Sequence, residues 1–99
     1  MKARAAHSQE AAEALAIQAL SFLAEEPERL GAFLSATGIG PDAIRDAARA
    51  PGFLGGVLDH MLGDEPLLLA FADSAGLDPA SIARARRALA GRPWERDIP

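Results

Sequence analysis

Apolar residues recur along the chain at helical spacing, in short runs that glycine and proline separate. In the first run, the residues that share one side of a helix are Ala12, Leu15, Ala16, Ala19, Phe22 and Leu23. This i, i+3, i+4, i+7 spacing predicts an amphipathic helix. Ser8 is its expected N-cap, and Pro27 limits its end because the residue before a proline leaves the α region.

Five further helices are predicted by the residues that begin and end them. Proline suits the first turn of a helix, and glycine suits a C-terminal cap that needs positive φ. The residues that mark these positions are Pro27, Gly38, Pro41, Gly52, Asp64, Gly76, Asp78 and Pro79. The fifth helix, which contains Leu67, Leu68, Leu69 and Phe71, is apolar nearly all round and is expected at the centre. In the fourth, Gly55-Gly56 predicts a close approach by another helix.

The pattern occurs twice. The first copy has Leu23, Glu26, Pro27, Leu30, Phe33, Gly38, Ile39, Pro41 and Ile44, and the second has Leu62, Glu65, Pro66, Leu68, Phe71, Gly76, Leu77, Pro79 and Ile82. The offset between matching residues is 39 up to the proline and 38 after it, and such a repeated order of glycine, proline and apolar positions indicates two copies of one unit. We therefore predict one all-α domain over residues 1–99, a compact bundle of six short helices made of two three-helix repeats. The repeats cover about 10–49 and 51–90, and an irregular tail covers 91–99.

Composition supports helices and excludes some classes of site. Val57 is the only valine and the chain has no tyrosine, which disfavours a sheet. The chain has no cysteine, so disulfides and thiolate metal sites are excluded. Charged residues interrupt the apolar stretch after Lys2 and Arg4, so neither a signal peptide nor a membrane span is expected. We expect a cytoplasmic protein that does not enter a membrane.

The net charge of −4 is unevenly distributed along the chain. Residues 50–78 contain five acidic groups and no basic one, whereas residues 79–99 contain five arginines and two acidic groups. An acidic middle beside a basic end suits protein contacts or self-association. It differs from the broadly basic surface of a nucleic-acid-binding protein.

Two segments carry a family resemblance, ALAIQALSFLAEEPERLGAFLSATGIGPDAIRDAA and FLGGVLDHMLGDEPLLLAFADSAGL. They are similar to domain of unknown function family 3572, a group of short all-helical alphaproteobacterial proteins. The resemblance covers roughly residues 10–90. It implies a small bacterial cytosolic protein and no established activity.

Catalytic and metal chemistry have little support in the sequence. His60 lies beside Asp59 and four residues before Asp64, a spacing that could share a metal ion or a proton. A catalytic site needs a nucleophile, a base and an orienting group that converge, and the chain has one interior histidine and no cysteine. We expect a solvated helix face there, and we predict a non-enzymatic protein with no metal and no cofactor.

Two patterns resemble nucleic-acid-binding elements. Gly38-Ile39-Gly40-Pro41 is similar to the loop of a helix-hairpin-helix, but Asp42 would repel phosphate and helix capping explains the same residues. Residues 72–82 have the spacing of a helix-turn-helix, in which Arg84 and Arg87 of the last helix would face a groove of DNA. The acidic residues just upstream oppose this interpretation, so a nucleic-acid partner is disfavoured.

Three large apolar residues fit no single inward face, namely Ile17, Leu69 and Trp94. The six helices could bury them as ordinary core, or they could form a contact surface for a protein partner. Our main functional hypothesis is a protein–protein interaction or self-association module, with an unknown protein or a second copy as partner. The alternative is a nucleic-acid-binding regulator that uses Arg84 and Arg87.

Overall fold

The computed structural model describes residues 2–50 and 52–89, with side chains described from Gln9 onward. Six α-helices form in this part of the chain: α1 (Lys2–Ala24), α2 (Pro27–Thr37), α3 (Ile44–Ala47), α4 (Phe53–Leu62), α5 (Glu65–Ala75) and α6 (Pro79–Leu89). A short 3-10 segment, Pro41–Ala43, precedes α3. The all-α fold class predicted from the sequence is therefore confirmed. Of the helices described, none has the length and apolarity that crossing a bilayer requires.

Most helix ends lie at the proline, glycine and aspartate residues that the sequence analysis predicted for them. α2 has proline as its first residue and ends at Gly38, whose φ of 77° lies in the left-handed region. α5 ends in the same way at Gly76, with a φ of 69°. The Asp64 carboxylate accepts a hydrogen bond from the Leu67 N–H, and that of Asp78 accepts one from the Ala80 N–H. These side chains satisfy amide groups that have no partner within the first turn.

Two of the predicted helices differ from the structure, one in its first residue and one in its type and length. α1 begins at Lys2 rather than after Ser8, because no residue in Lys2–Gln9 breaks a helix and the run is rich in alanine. The predicted third helix is a 3-10 turn followed by only four α-helical residues, and neither piece has a fully buried side chain. Ile44 and Ala47 are only partly buried against the core, so this short segment gains little from extending.

The helix at the centre is α4, and the prediction that α5 would be central is wrong. α4 packs against α1, α2, α5 and α6, while α1 and α6 make the most extensive helix pair. Among the described residues, the core consists of buried apolar side chains, namely Ala12, Ala16, Ala19, Phe22, Leu23, Phe33, Phe53, Val57, Leu58, Met61, Phe71, Ala72, Ile82 and Ala85. α5 contributes only Phe71 and Ala72 to it, because α5 lies at the edge of the bundle.

Helix boundaries in the two halves repeat at a constant spacing. α1 and α4 end 38 residues apart, α2 and α5 begin and end 38 apart, and Pro41 and Pro79 begin the next segments at the same offset. The third segments then differ, since the first half has a 3-10 turn with α3 and the second has the 11-residue α6. The two-repeat arrangement stays a prediction, and the predicted 91–99 tail lies outside the described residues.

Candidate protein-binding groove

Two of the three apolar residues that fitted no inward face are at the surface. Ile17 is 53% exposed on α1, and Leu69 is 46% exposed on α5. At about 100° per residue, Ile17 lies about 200° around α1 from the buried Ala19, and Leu69 lies about 200° around α5 from the buried Phe71. Each therefore lies on the outer side of its own helix. Trp94 lies outside the described residues.

A groove runs between α1 and α6, with a volume of about 800 Å³. The residues that line it are Ala11, Ala12, Ala14, Leu15, Gln18, Leu77, Ser81, Arg84, Ala85 and Ala88. Half of these lining residues are alanines, whose methyl groups are too small to fill the space between two helices. Of the described lining residues, Arg84 is the one that carries a charge, so this part of the groove is apolar with a cationic rim.

Sequence reasoning missed this groove, although a signal was present. On α1, Ala11, Ala14, Leu15 and Gln18 follow i, i+3, i+4, i+7 spacing, and on α6, Ser81, Arg84, Ala85 and Ala88 do the same. Each set therefore shares one side of its helix. Two such stripes, half of whose residues are alanine, predict a groove only once the two helices are known to be neighbours. Only the structure shows that α1 and α6 pack together.

The acidic middle and the basic end of the chain meet where α4 and α6 pack. The Arg86 Nε donates to Asp59 Oδ1 at 2.6 Å, and an Arg86 terminal nitrogen donates to Asp59 Oδ2 at 3.0 Å. This bidentate hydrogen bonding raises the pKa of Arg86 above its ordinary value, although partial burial opposes the rise. The guanidinium therefore stays charged at any physiological pH. Arg86 has a structural role, because its ion pair joins α6 to α4.

Gly55 makes room for this ion pair. A Cβ atom at Gly55 would lie 2.9 Å from a terminal nitrogen of Arg86 and 3.1 Å from its Cζ. At Gly56, nothing lies within 4 Å of the same position. The predicted close approach thus holds for Gly55 but not for Gly56, and the approaching group is the end of an arginine side chain on α6.

We expect Gly55→Ala to leave stability nearly unchanged in the wild-type background. Alanine should gain about 1 kcal/mol of helix propensity, while the displaced Arg86 loses an ion pair worth up to about 1 kcal/mol, since Asp59 is 56% exposed. In an Arg86→Ala background, the same change should stabilise by about 1 kcal/mol. Urea unfolding followed by circular dichroism measures both values.

Gly56→Ala is the matched control for this cycle. It should stabilise by about 1 kcal/mol whether or not Arg86 is present, because a Cβ atom there meets no neighbour. If Gly55→Ala has the same effect in both backgrounds, Gly55 and Arg86 are not coupled, and the steric role of Gly55 is wrong.

His60 and its neighbouring carboxylates have separate structural roles. The His60 ring packs edge-on against Phe33 at 5.3 Å between centroids. Asp59 binds Arg86, and Asp64 caps α5. The three side chains that the sequence suggested as a metal or proton site therefore have other partners. In the described residues, no group of three or more histidine, aspartate or glutamate side chains could hold a metal ion.

The two sequence patterns that resemble nucleic-acid-binding elements agree with the structure to different degrees. The Gly38 N–H donates to the Leu34 carbonyl at 2.8 Å, so helix capping occupies it, and Pro41 begins a 3-10 turn rather than a long helix. Arg84 and Arg87 are exposed on α6, as the helix-turn-helix interpretation expects. Their helix nevertheless begins next to the Asp78 carboxylate, and Arg84 lies beside α1 at the rim of the groove.

Comparison with known proteins gives a family but no function. A protein-family model with the description "Protein of unknown function (DUF3572)" matches residues 9–92, which is most of the chain. No curated protein and no solved structure matches significantly. The family resemblance seen in the sequence is thus confirmed.

Proposed function

We propose that this chain, which belongs to the DUF3572 family, works by binding another protein and not by catalysis. The observation that supports this most directly is the groove between α1 and α6. Its volume of about 800 Å³ and its lining of alanine and leucine resemble the troughs in which proteins receive an amphipathic helix.

The shape of the groove favours a helical occupant. Two packed helices leave a trough along their line of contact, and the side chains of a third helix can fill it, ridges into grooves. Small residues on both walls let that helix approach closely, and Leu15 and Leu77 give it apolar surface. The partner would bring leucine-sized side chains and, opposite Arg84, a carboxylate.

The proposal of a non-enzymatic role rests on the chemistry of the groove. Among the described residues, Gln18, Ser81 and Arg84 supply the side-chain polar groups of the groove, and none of these three is an effective base. Acid–base catalysis needs a group whose pKa is near the working pH and which lies close to the reacting atoms. The proposal includes a cytoplasmic setting, with which a chain without cysteine is compatible.

Affinity purification from the native host tests the proposal with one variant and one control. Ala14→Arg puts a long charged side chain at the groove without changing the core, since Ala14 is exposed. Ala36→Arg makes the same change at an exposed position of α2, a helix that does not line the groove. We expect a partner that the wild type and Ala36→Arg retain and that Ala14→Arg loses, in extracts treated with nuclease.

Identical recovery by all three proteins would contradict a role for the groove.

The alternative function, a nucleic-acid-binding regulator, is supported by the exposure of Arg84 and Arg87 on α6. It makes a different prediction: nuclease treatment should remove the captured proteins, and Arg87→Glu should weaken a mobility shift of duplex DNA at low salt.

A further inference from the structure

Among the residues that the structure describes, no carboxylate pairs with the cationic rim of the groove. In the described part of the chain, the ion pairs are Arg29 with Glu26 and Arg86 with Asp59. Arg84 and Arg87 are therefore free of such a partner there, and both are exposed. An apolar groove with a free arginine at its rim is complementary to an apolar side chain flanked by carboxylates.

The outer face of α5 has this complementary pattern. Glu65, Leu69 and Asp73 follow i, i+4, i+8 spacing, so the leucine lies between two carboxylates that are about 12 Å apart along the helix. All three residues are exposed, and neither carboxylate belongs to an ion pair in the described residues. The face thus combines one apolar side chain with negative charge on both sides.

The α5 face cannot reach the groove of its own chain. Phe71 and Ala72 fix the inner side of α5 in the core, where the Phe71 ring contacts Phe22 at 5.4 Å between centroids. Leu69 lies about 200° around the helix from Phe71 and faces away from the bundle. A single chain therefore carries both halves of a contact that only two chains can complete.

We infer that the groove binds a second copy of this chain, with Leu69 of one copy between α1 and α6 of the other and with Glu65 or Asp73 beside Arg84. This inference rests on the proposed function, for which it names the partner. In the inferred assembly, both contacts form between the same two copies, so the pairing is reciprocal and closes as a symmetric dimer. With one leucine as anchor, the contact is weak and reversible.

Charge reversal on each side gives a specific test with the full-length chain. Sedimentation equilibrium at protein concentrations from about 10 to about 500 μM should show the wild type passing from monomer to dimer. The dissociation constant of a weak contact is expected in this range. Arg84→Glu alone and the double variant Glu65→Lys/Asp73→Lys should each weaken dimerisation about tenfold or more. An equimolar mixture of the two should dimerise again, because each groove then meets an α5 face of opposite charge.

Matched controls are Arg45→Glu and Glu28→Lys, which reverse exposed charges on α3 and α2. Both should dimerise like the wild type, and circular dichroism should show a native helical spectrum for every variant. A wild type that stays monomeric throughout, or variants whose mixture stays monomeric, would overturn the inference. The purification with Ala14→Arg would still decide whether the groove binds a different protein.

Discussion

Leu58→Ala is expected to lower the free energy of unfolding by about 3 kcal/mol. Leu58 is fully buried on α4, the helix that packs against α1, α2, α5 and α6. Removing its three outer carbons leaves a cavity that four surrounding helices cannot close without moving apart. For a domain of this length, the loss is a large part of a total stability of about 5–15 kcal/mol.

The matched control is Leu69→Ala, the same chemical change on α5. Leu69 is 46% exposed, so its truncation should cost less than about 1 kcal/mol. Urea unfolding should be measured at low protein concentration, where self-association adds no stability. A greater loss for Leu69→Ala than for Leu58→Ala would mean that α5, and not α4, is the central helix.

Ala16→Leu should destabilise the protein by about 1–3 kcal/mol, although leucine is a good helix former. Ala16 is fully buried on the face of α1 that packs against the bundle. A close helix contact at an alanine has no space for three more carbons. The larger side chain must adopt a poor rotamer or push a neighbouring helix away, and either response reduces packing.

Ala14→Leu is the control for this substitution, since Ala14 is exposed and lines the groove. We expect a change within about 0.5 kcal/mol, because the added carbons enter open space. Thermal unfolding by calorimetry separates the two variants, as 1 kcal/mol corresponds to roughly 4–8 °C in a domain of this size. If both variants unfold like the wild type, α1 is not closely packed at Ala16.

The sequence predicts helix ends well where one residue acts locally. Gly38 and Gly76 adopt positive φ, and Asp64 and Asp78 accept hydrogen bonds from the first turns, because these effects need only neighbouring residues. It failed for α1, where the expected N-cap did not stop a helix already favoured by alanine. A cap makes a helix start favourable, but it does not prevent the helix from continuing beyond it.

Positions that depend on neighbouring helices could not be predicted. The apolar composition of α5 suggested the centre, yet burial depends on which helices pack beside it, and Leu69 remains exposed. The sequence left open whether Ile17 and Leu69 are core or surface for the same reason. The groove and the Asp59–Arg86 pair each join residues far apart in the chain, so local patterns alone identify neither of them.

The segment from Pro41 to Ala47 supplies no fully buried side chain to the core. Its opening would break a few local hydrogen bonds and expose the partly buried Ile44 and Ala47, so its amide protons can exchange with solvent while the rest of the bundle stays folded. Loop closure also becomes only slightly more costly as a connection lengthens. The α2–α4 connection is therefore the part of this architecture in which extra residues could be inserted while α1, α4 and α6 stay packed.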